Sequence, residues 1–297
     1  MRVCSYIHNF VYFASKLKLA RHFYHVKFPL EICILIRRKK MKIALVGYGK
    51  MGHLLKAAAE NLGNEVVVTI DPFAPDADVK NSDSAELARA VKGSGADGVI
   101  EFTNPAVVME NLRALVPLGI PLVVGTTGWT QNENEIADLA AKTGGTVLRS
   151  SNFSTGVNMF FRIIEEAVKI LEPFSEYDIA TWEMHHNQKA DSPSGTALEI
   201  ARRILANTSK KTEIETDAFH ERPQKNALHV SSTRCGSVPG THSVIFDGTA
   251  DTIEIRHTAR SREGFAMGAV RALKSLDDAL KTGRLSRGKL YGLEDLE

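Results

Sequence analysis

The residues best suited to chemistry in this chain lie between Glu183 and Thr196, where the sequence reads EMHHNQKADSPSGT. His185 and His186 supply imidazoles that can donate protons near neutral pH, and Lys189 supplies a compact positive charge. The whole segment from Glu183 to Thr196 is called the histidine block below. The small residues at its end leave backbone N–H groups accessible. Together these groups suit a small, doubly anionic substrate that must be protonated.

A helix is predicted directly after the histidine block. Apolar residues recur at three- and four-residue spacing from Ala197 to Leu205, which would bury one helix face. Asp191 or Ser192 can cap this helix, and Pro193 fits its first turn. Because a helix start presents unpaired N–H donors and positive dipole potential, an anion is expected to bind there. The alternative, that Ser-Pro-Ser-Gly is only a cap and a turn, is weakened by the histidines and lysine upstream.

A glycine motif near residue 50 predicts a dinucleotide site. An apolar strand over 42–46 runs into Gly47-Tyr48-Gly49-Lys50-Met51-Gly52, a helical pattern follows, and a strand over 65–70 ends at Asp71. The three glycines permit a tight turn, close approach of the pyrophosphate, and close packing of helix on strand. Asp71 follows Gly47 by 24 residues, where an acid accepts hydrogen bonds from ribose hydroxyls. We assign 47–52 and Asp71 to cofactor binding.

The same acid bears on the choice of cofactor. A carboxylate at Asp71 repels the 2′-phosphate of NADPH, and Pro72-Phe73 offers no adjacent arginine to hold one. The sequence therefore favours NADH. Lys50 could still offer charge to a phosphate, so NADPH remains open.

Further strands are predicted over 98–103, 121–125 and 146–149, with a helix from Pro105 to Pro117. In open parallel sheets the carboxyl ends of the strands line the ligand crevice. Thr103, Gly125 and Thr127 are therefore candidates for the nicotinamide side of the site. Ordinary strand-to-helix turns are the alternative at each of these positions.

The second half of the chain changes character after a helix predicted over 158–171. Strands are predicted over 177–184, 227–232, 242–246 and 252–257, and a final amphipathic helix over 264–280 would return to the first domain. The fold class is α/β, with a Rossmann-type parallel sheet domain (41–154 and 262–297). A smaller α+β domain with a mixed or antiparallel sheet (155–261) would bind substrate, and its open face would suit subunit association.

The first 40 residues differ in charge from the rest of the chain. They carry nine basic residues and one acid, a charge of +8 against +2 for the whole chain, so residues 41–297 sum to −6. We predict that 1–40 is an extension outside the fold and that Met41 is the true start; a targeting peptide is the alternative. The acidic remainder argues against nucleic acid as a partner.

Cysteine usage and hydropathy exclude several other classes. Cys235 stands alone after residue 40, which predicts no disulfide and no metal site and fits a reducing cytoplasm. No stretch reaches the roughly 18 apolar residues of a membrane span. We therefore expect a cytoplasmic protein with no membrane partner.

Several segments in order resemble the 4-hydroxy-tetrahydrodipicolinate reductase family, also called dihydrodipicolinate reductase. The similar segments are the glycine motif, Glu101-Phe102-Thr103, Gly125-Thr126-Thr127-Gly128-Trp129, 151–158, the histidine block and Ser261-Arg262-Glu263-Gly264-Phe265-Ala266. The resemblance runs from Met41 to about Leu276. The extension has no counterpart in the family pattern, and the glycine loop is one residue shorter than in many members.

The resemblance implies a reduced nicotinamide donor and a substrate with two ring carboxylates, reduced to tetrahydrodipicolinate in diaminopimelate and lysine biosynthesis. It implies that His185 is the proton donor and that His186, Lys189, Gly195 and Thr196 hold the carboxylates, with Lys189 also balancing charge. A packing or orienting role is the alternative for His186. The resemblance also implies cofactor contacts from Thr126, Ser151, Asn152 and Phe153, and a homotetramer.

Two other functions are weaker. Another two-domain NAD(P) reductase acting on an amino or sugar acid would keep the glycine loop and Asp71 but would not need the histidine block. A redox-sensing binding protein would need no proton donor and would carry an appendage for DNA or a partner. The basic extension is the one candidate for such an appendage, and it lacks a turn-helix pattern.

Overall fold

The structure is a computed structural model and describes residues 40–80 and 83–296. The predictions for the extension therefore lie outside the described residues, apart from Lys40. In chain order the elements are β1 (Lys42–Val46), α1 (Lys50–Asn61), β2 (Glu65–Ile70), α2 (Ser84–Gly93), β3 (Gly98–Glu101), α3 (Val108–Leu115), β4 (Leu122–Val124), α4 (Glu133–Thr143), β5 (Thr146–Arg149), α5 (Thr155–Leu171), β6 (Asp178–His185), α6 (Gly195–Ala206), β7 (Glu213–Glu215), β8 (Ala227–Arg234), β9 (Thr241–Asp247), β10 (Thr252–Thr258), α7 (Glu263–Lys281) and β11 (Lys289–Tyr291).

The first lobe is a parallel sheet of six strands in the order β11-β5-β4-β3-β1-β2. Its strands are almost continuously apolar because both faces of the sheet are covered. Ile43 and Leu45 pack on one face with residues of α1 and α7, whereas Ala44 and Val46 pack on the other with residues of α2, α3 and α4. The predicted Rossmann-type sheet is confirmed, and the final helix returns to it as expected.

The second lobe is a mixed sheet in the order β10-β9-β6-β8-β7. Its central strand, β6, pairs in parallel with β8 and antiparallel with β9. Alternate residues of β6, from Ile179 to His185, are buried. They lie on the face where Ile179, Val230, Val244 and Phe246 pack against α5 and α6. The smaller mixed sheet predicted from sequence is confirmed.

The start of α6 corrects one prediction. Ser194 is the N-cap: its backbone is extended (φ −68°, ψ 156°), and its hydroxyl accepts a hydrogen bond from Ala197 N–H at 3.2 Å. The assignment of the cap to Asp191 or Ser192 was therefore wrong, and Pro193 precedes the helix. A cap is fixed by backbone conformation, and composition alone did not discriminate among neighbouring Asp and Ser residues.

Other boundaries also moved. The helix predicted from Pro105 to Pro117 is shorter, as α3 followed by a 3₁₀ turn over Val116–Leu118. Helices α2 and α4 and the edge strands β7 and β11 had not been assigned from the sequence. Among the described residues, no helix is both long and apolar enough to cross a bilayer. The proposed domain limits stay a prediction.

Candidate active site

The glycine loop between β1 and α1 shows a separate physical reason for each of its glycines. Gly47 has φ +91°, and a Cβ there would lie 2.2 Å from the carbonyl oxygen of Phe102. A Cβ on Gly52 would lie 2.4 Å from the carbonyl oxygen of Gly47. No atom would lie within 4 Å of a Cβ built on Gly49, and this residue is exposed. The loop is therefore tightly packed at Gly47 and Gly52 and open to solvent at Gly49, which fits a pyrophosphate approaching the start of α1.

Asp71 lies at the tip of β2 and is held against the glycine loop. Its Oδ2 accepts a hydrogen bond from Tyr48 N–H at 2.8 Å. Its Oδ1 accepts from Phe73 N–H at 2.8 Å and from Ala74 N–H at 3.0 Å. A carboxylate oxygen has two lone pairs, so Oδ2 keeps one for a ribose hydroxyl. The structure thus brings Asp71 and the glycine loop into contact, as the sequence predicted.

The remaining residues of the loop differ in exposure. Tyr48 is buried, with its ring stacked on His53 at 4.3 Å between centroids. Met51 is partly buried against the core of the first lobe, and Lys50 is exposed. Of these three side chains, Lys50 is the one whose charge can meet a phosphate.

The ends of β3 and β4 meet beside the glycine loop. Thr103 N–H donates to Thr126 Oγ1 at 2.7 Å, and the Thr103 hydroxyl donates to the buried carboxylate of Glu101. Burial raises the pKa of Glu101, although hydrogen bonds from Thr103 and its neighbours oppose that shift. A Cβ on Gly125 would lie 2.0 Å from the Phe102 ring, so close packing already accounts for this glycine. Thr127 is exposed.

The segment after β5 joins the two lobes. Asn152 Nδ2 donates to the hydroxyl of Thr196, at the start of α6, at 3.3 Å. Ser151 is exposed, whereas Phe153 is 3% exposed and its ring packs in the core of the first lobe. The Phe153 ring is therefore a core side chain, which leaves its main chain for any cofactor contact.

His185 ends β6 and is held by a buried acid. Its Nδ1 is hydrogen-bonded to Glu183 Oε2. Burial opposes ionisation of Glu183, but hydrogen bonds from His185 and Arg234 outweigh burial and lower the pKa of Glu183 to about 2. An ionised carboxylate can only accept, so the shared proton belongs to Nδ1. The nitrogen left for proton transfer is Nε2.

Gly240 lies against that free nitrogen. A Cβ there would be 2.9 Å from His185 Nε2, and the residue has φ +148°. Glycine at this position therefore keeps the Nε2 edge of the ring clear. The His185 side chain is 10% exposed, so the imidazole is largely shielded from water.

Lys189 lies in the loop that follows His185, and this loop leads into α6. Lys189 Nζ pairs with Asp191 Oδ1 at 2.7 Å. Burial resists ionisation of Asp191, but the lysine outweighs it, and the pKa of Asp191 is lowered. Lys189 N–H donates to the carbonyl of His186 at 3.1 Å, which closes a turn. His186 is half-buried, and Gly195 is exposed with nothing within 4 Å of its Cβ position.

His242 is a further member of the site. Its Nε2 lies 3.3 Å from the Ser194 hydroxyl, and its ring meets the His185 ring edge-on at 5.1 Å. Burial, followed by repulsion from His185, lowers the pKa of His242 to about 3. The ring is therefore neutral at neutral pH. Ligand atoms of Glu183, His185 and His242 lie within 4.8 Å of one another and could hold a metal ion; the absence of a metal stays a prediction.

Sequence reasoning missed Glu183, Arg234 and His242 as site residues. One signal was available, because strand alternation places Glu183 on the same face as His185. The other two residues follow from strand register: Arg234 lies opposite His185 on β8, and His242 lies opposite Glu183 on β9. Pairing between strands this far apart in sequence is not encoded by any local pattern.

The fold and the site together define a class of protein. A Rossmann-type lobe is connected through Asn152 and Thr196 to a second lobe that carries a shielded imidazole, a lysine and a helix start. This is the architecture of a two-lobed oxidoreductase that binds a nicotinamide dinucleotide.

Comparison with known proteins gives the family. Residues 41–153 match the family model for the dihydrodipicolinate reductase N-terminus, and residues 156–296 match the model for its C-terminus. The chain belongs to the dihydrodipicolinate reductase family.

Relatives of this family match most of the chain. The 4-hydroxy-tetrahydrodipicolinate reductase of Christiangramia forsetii is 36% identical over 82% of this chain and 94% of its own length. The enzyme of that name from Archaeoglobus fulgidus is also 36% identical, over 82% of this chain and 96% of its own length. A solved dihydrodipicolinate reductase from Paenisporosarcina sp. TG-14, with dipicolinate bound, has a TM-score of 0.67 at 22% identity and is covered over its full length, with 87% of this chain. That structural likeness supports the fold.

Proposed function

We propose that this protein reduces 4-hydroxy-tetrahydrodipicolinate to tetrahydrodipicolinate, a step of diaminopimelate and lysine biosynthesis. The relatives that carry this name match the chain over both lobes. The observation that carries the proposal is local: the free Nε2 edge of His185 shares one site with Lys189 and the start of α6. A proton donor beside two separate anion-binding groups suits a dicarboxylate that must be protonated.

The substrate carboxylates are held by charge and by main chain. Lys189 is cationic and lies three residues after His186, whose ring is half-buried in the same turn. Gly195 and Thr196 open α6, where unpaired N–H groups attract an anion. Lys189 is already paired with Asp191, so a substrate carboxylate would share the three ammonium donors with the Asp191 carboxylate.

The cofactor is held by the first lobe. The glycine loop would hold the pyrophosphate and Asp71 the ribose, and the nicotinamide side would be lined by Thr103, Gly125, Thr126, Thr127, Ser151, Asn152 and the main chain of Phe153. Reduced nicotinamide, when bound, supplies the hydride. Because Asp71 carries a negative charge and no arginine adjoins it, NADH is the preferred cofactor and NADPH the weaker one.

The chain's own residues then manage the proton. Loss of water from the hydroxylated ring leaves a conjugated imine. Hydride addition to a ring carbon of that imine builds negative charge on the substrate, and His185 Nε2 quenches that charge by donating a proton. Glu183 accepts from Nδ1 throughout, so the resulting imidazole keeps one tautomer. Lys189 balances the carboxylate that it binds.

We also propose a homotetramer, in which one face of the second sheet makes subunit contacts. Ala180, Trp182 and Met184 alternate with the buried residues of β6, so they lie on the face opposite α5 and α6 and are partly buried. On β9, Ile245 lies opposite Ala180 and shares that face. We propose that this face joins subunits and that the tetramer works in the cytoplasm. Trp182→Glu should then lower the mass measured by light scattering, whereas an unchanged tetrameric mass would exclude this face.

A coupled assay tests the reaction. Substrate is generated in situ by dihydrodipicolinate synthase from pyruvate and aspartate semialdehyde, and loss of reduced-nicotinamide absorbance is followed with NADH and NADPH in parallel. We expect oxidation that depends on the synthase and is faster at limiting NADH than at limiting NADPH. If a folded protein binds NADH and oxidises neither cofactor, the proposed reaction is wrong.

A further inference from the structure

A buried ion pair connects His185, the Lys189 loop and the cap of α6. Glu183 is 0% exposed, and its Oε1 pairs with Arg234 Nη1 at 2.8 Å. Its other oxygen, Oε2, is hydrogen-bonded to His185 Nδ1, and Oε1 also accepts from Ser194 N–H at 3.3 Å. One carboxylate thus contacts both the imidazole and the cap of α6.

Arg234 reaches the remaining part of the site. Its Nε donates to the carbonyl of Lys189 at 3.3 Å, and its Nη2 donates to the carbonyl of Asp191. The fork of the guanidinium therefore holds the main chain at Lys189 itself and two residues beyond it. His185 and Arg234 are register partners on parallel strands, so the sheet itself sets their separation.

A pair used only for stability would be a costly choice at this place. Burying two charges carries a desolvation cost that well-packed apolar side chains would avoid. The pair instead makes hydrogen bonds to four different parts of the histidine block. This distribution of contacts is what a positioning device requires.

We propose that the Glu183–Arg234 pair positions the catalytic site, with a separate task for each partner. Glu183 holds the His185 proton on Nδ1 and so presents Nε2 to the substrate. Arg234 holds the Lys189 loop, and therefore the distance between the lysine and the helix start. Both are positioning residues that act through His185 and Lys189. The inference rests on the proposed function, in which His185 is the proton donor.

A double-mutant cycle tests the Glu183 task. Glu183→Gln removes the carboxylate charge and should lower kcat roughly 10- to 10²-fold, which is part of the worth of a general acid. In the His185→Gln background the same change should cost nothing further in kcat, because no proton donor is left to position. NADH affinity, from fluorescence titration, should be unchanged.

Two further variants separate positioning from folding. Glu183→Asp keeps a charge for Arg234 but withdraws the carboxylate from Nδ1, so it should fold and still lose kcat. Glu172→Gln is the matched control: its carboxylate is bonded to Thr208 and Ser209, which lower its pKa to about 2, and it lies outside the site. The control should leave kcat unchanged.

Arg234→Lys tests the second task. Lysine keeps the positive charge beside Glu183 but lacks the fork that reaches the two loop carbonyls. We expect substrate KM to rise about tenfold with a smaller change in kcat, the reverse of the Glu183→Gln pattern. If kcat falls and KM rises by the same factor in this variant, the two partners do not have separate tasks.

The outcomes are distinguishable. If His185→Gln collapses kcat while Glu183→Gln and Glu183→Asp leave it intact, the proposed function stands and the positioning role falls. Additive losses in the cycle would also overturn it, because they indicate an effect that does not pass through His185. If His185→Gln leaves kcat unchanged, the proton-donor assignment fails, and the inference fails with it.

Discussion

The candidate cofactor site of the first lobe is built mainly from main chain, whereas the candidate catalytic site of the second lobe is built from buried charged side chains. In the glycine loop, Gly47 and Gly52 serve by lacking a Cβ. At the histidine block, Glu183 and Arg234 of β8 form a buried ion pair that we propose neutralises and orients its neighbours. The first kind of site tolerates almost no added atom, and the second tolerates almost no change of charge or hydrogen bonding.

The largest expected effect lies in the second lobe. His185→Gln removes the proposed proton donor but leaves the glycine loop untouched, so kcat should fall roughly 10²- to 10⁴-fold. NADH affinity, measured by fluorescence titration, should stay at the wild-type value. A parallel loss of NADH affinity would show that the two sites are not separable in the way this comparison requires.

Gly47→Ala makes the opposite perturbation in the first lobe. The φ of +91° and the 2.2 Å approach to the Phe102 carbonyl would force the loop to move, at a cost of about 1–3 kcal/mol. NADH Kd should rise roughly tenfold or more. Gly63→Ala is the control, because Gly63 has φ +78° but no atom would lie within 4 Å of its Cβ. It should reduce the melting temperature and leave the NADH Kd unchanged.

The stability of the second lobe should also depend more strongly on acid pH than that of the first lobe. His242 has a pKa lowered to about 3 from 6.5, so the unfolded state binds the proton more tightly. The stabilisation that His242 contributes is complete above pH 6.5 and is lost as the pH falls, by about 2 kcal/mol at about pH 5. His242→Asn should therefore lose less stability than the wild type between neutral pH and about pH 5, as measured by urea unfolding. Equal losses would show that His242 is protonated in the folded protein.

The smallest expected effect concerns Lys189, the partly buried cation of the candidate site. Lys189→Ala removes the proposed contact to a substrate carboxylate and should raise substrate KM about tenfold, equivalent to about 1.4 kcal/mol. NADH Kd should not change. Lys142→Ala, on the exposed face of α4, provides the control for loss of one positive charge. Loss of NADH binding in the Lys189 variant would place the lysine in the cofactor site.

Much of the first lobe could be predicted because its signals are local. The run Lys42–Val46 followed by the glycine motif and Asp71 predicted strand, turn, helix and strand in order, and the structure has them in that order. The cap of α6 was misplaced by two or three residues because Asp191, Ser192 and Ser194 are all good caps. Strand β11 was missed because three residues at a sheet edge carry too little pattern.

The histidine block illustrates the limit of such reasoning. Its residue types alone indicated a proton donor beside groups that bind anions, since few structural needs call for two histidines and a lysine before a helix start. The partners that orient them come from β8 and β9, which are 40 to 60 residues further along the chain.

The sequence by itself therefore determined the family, the glycine loop and the identity of the chemical groups, because each is carried by short local segments of the chain. The tertiary structure alone decided that Arg234 and His242 meet Glu183, and hence which His185 nitrogen is free. Those contacts depend on the register of a mixed sheet. Register is set by the packing of whole strands against α5 and α6, and not by any one segment.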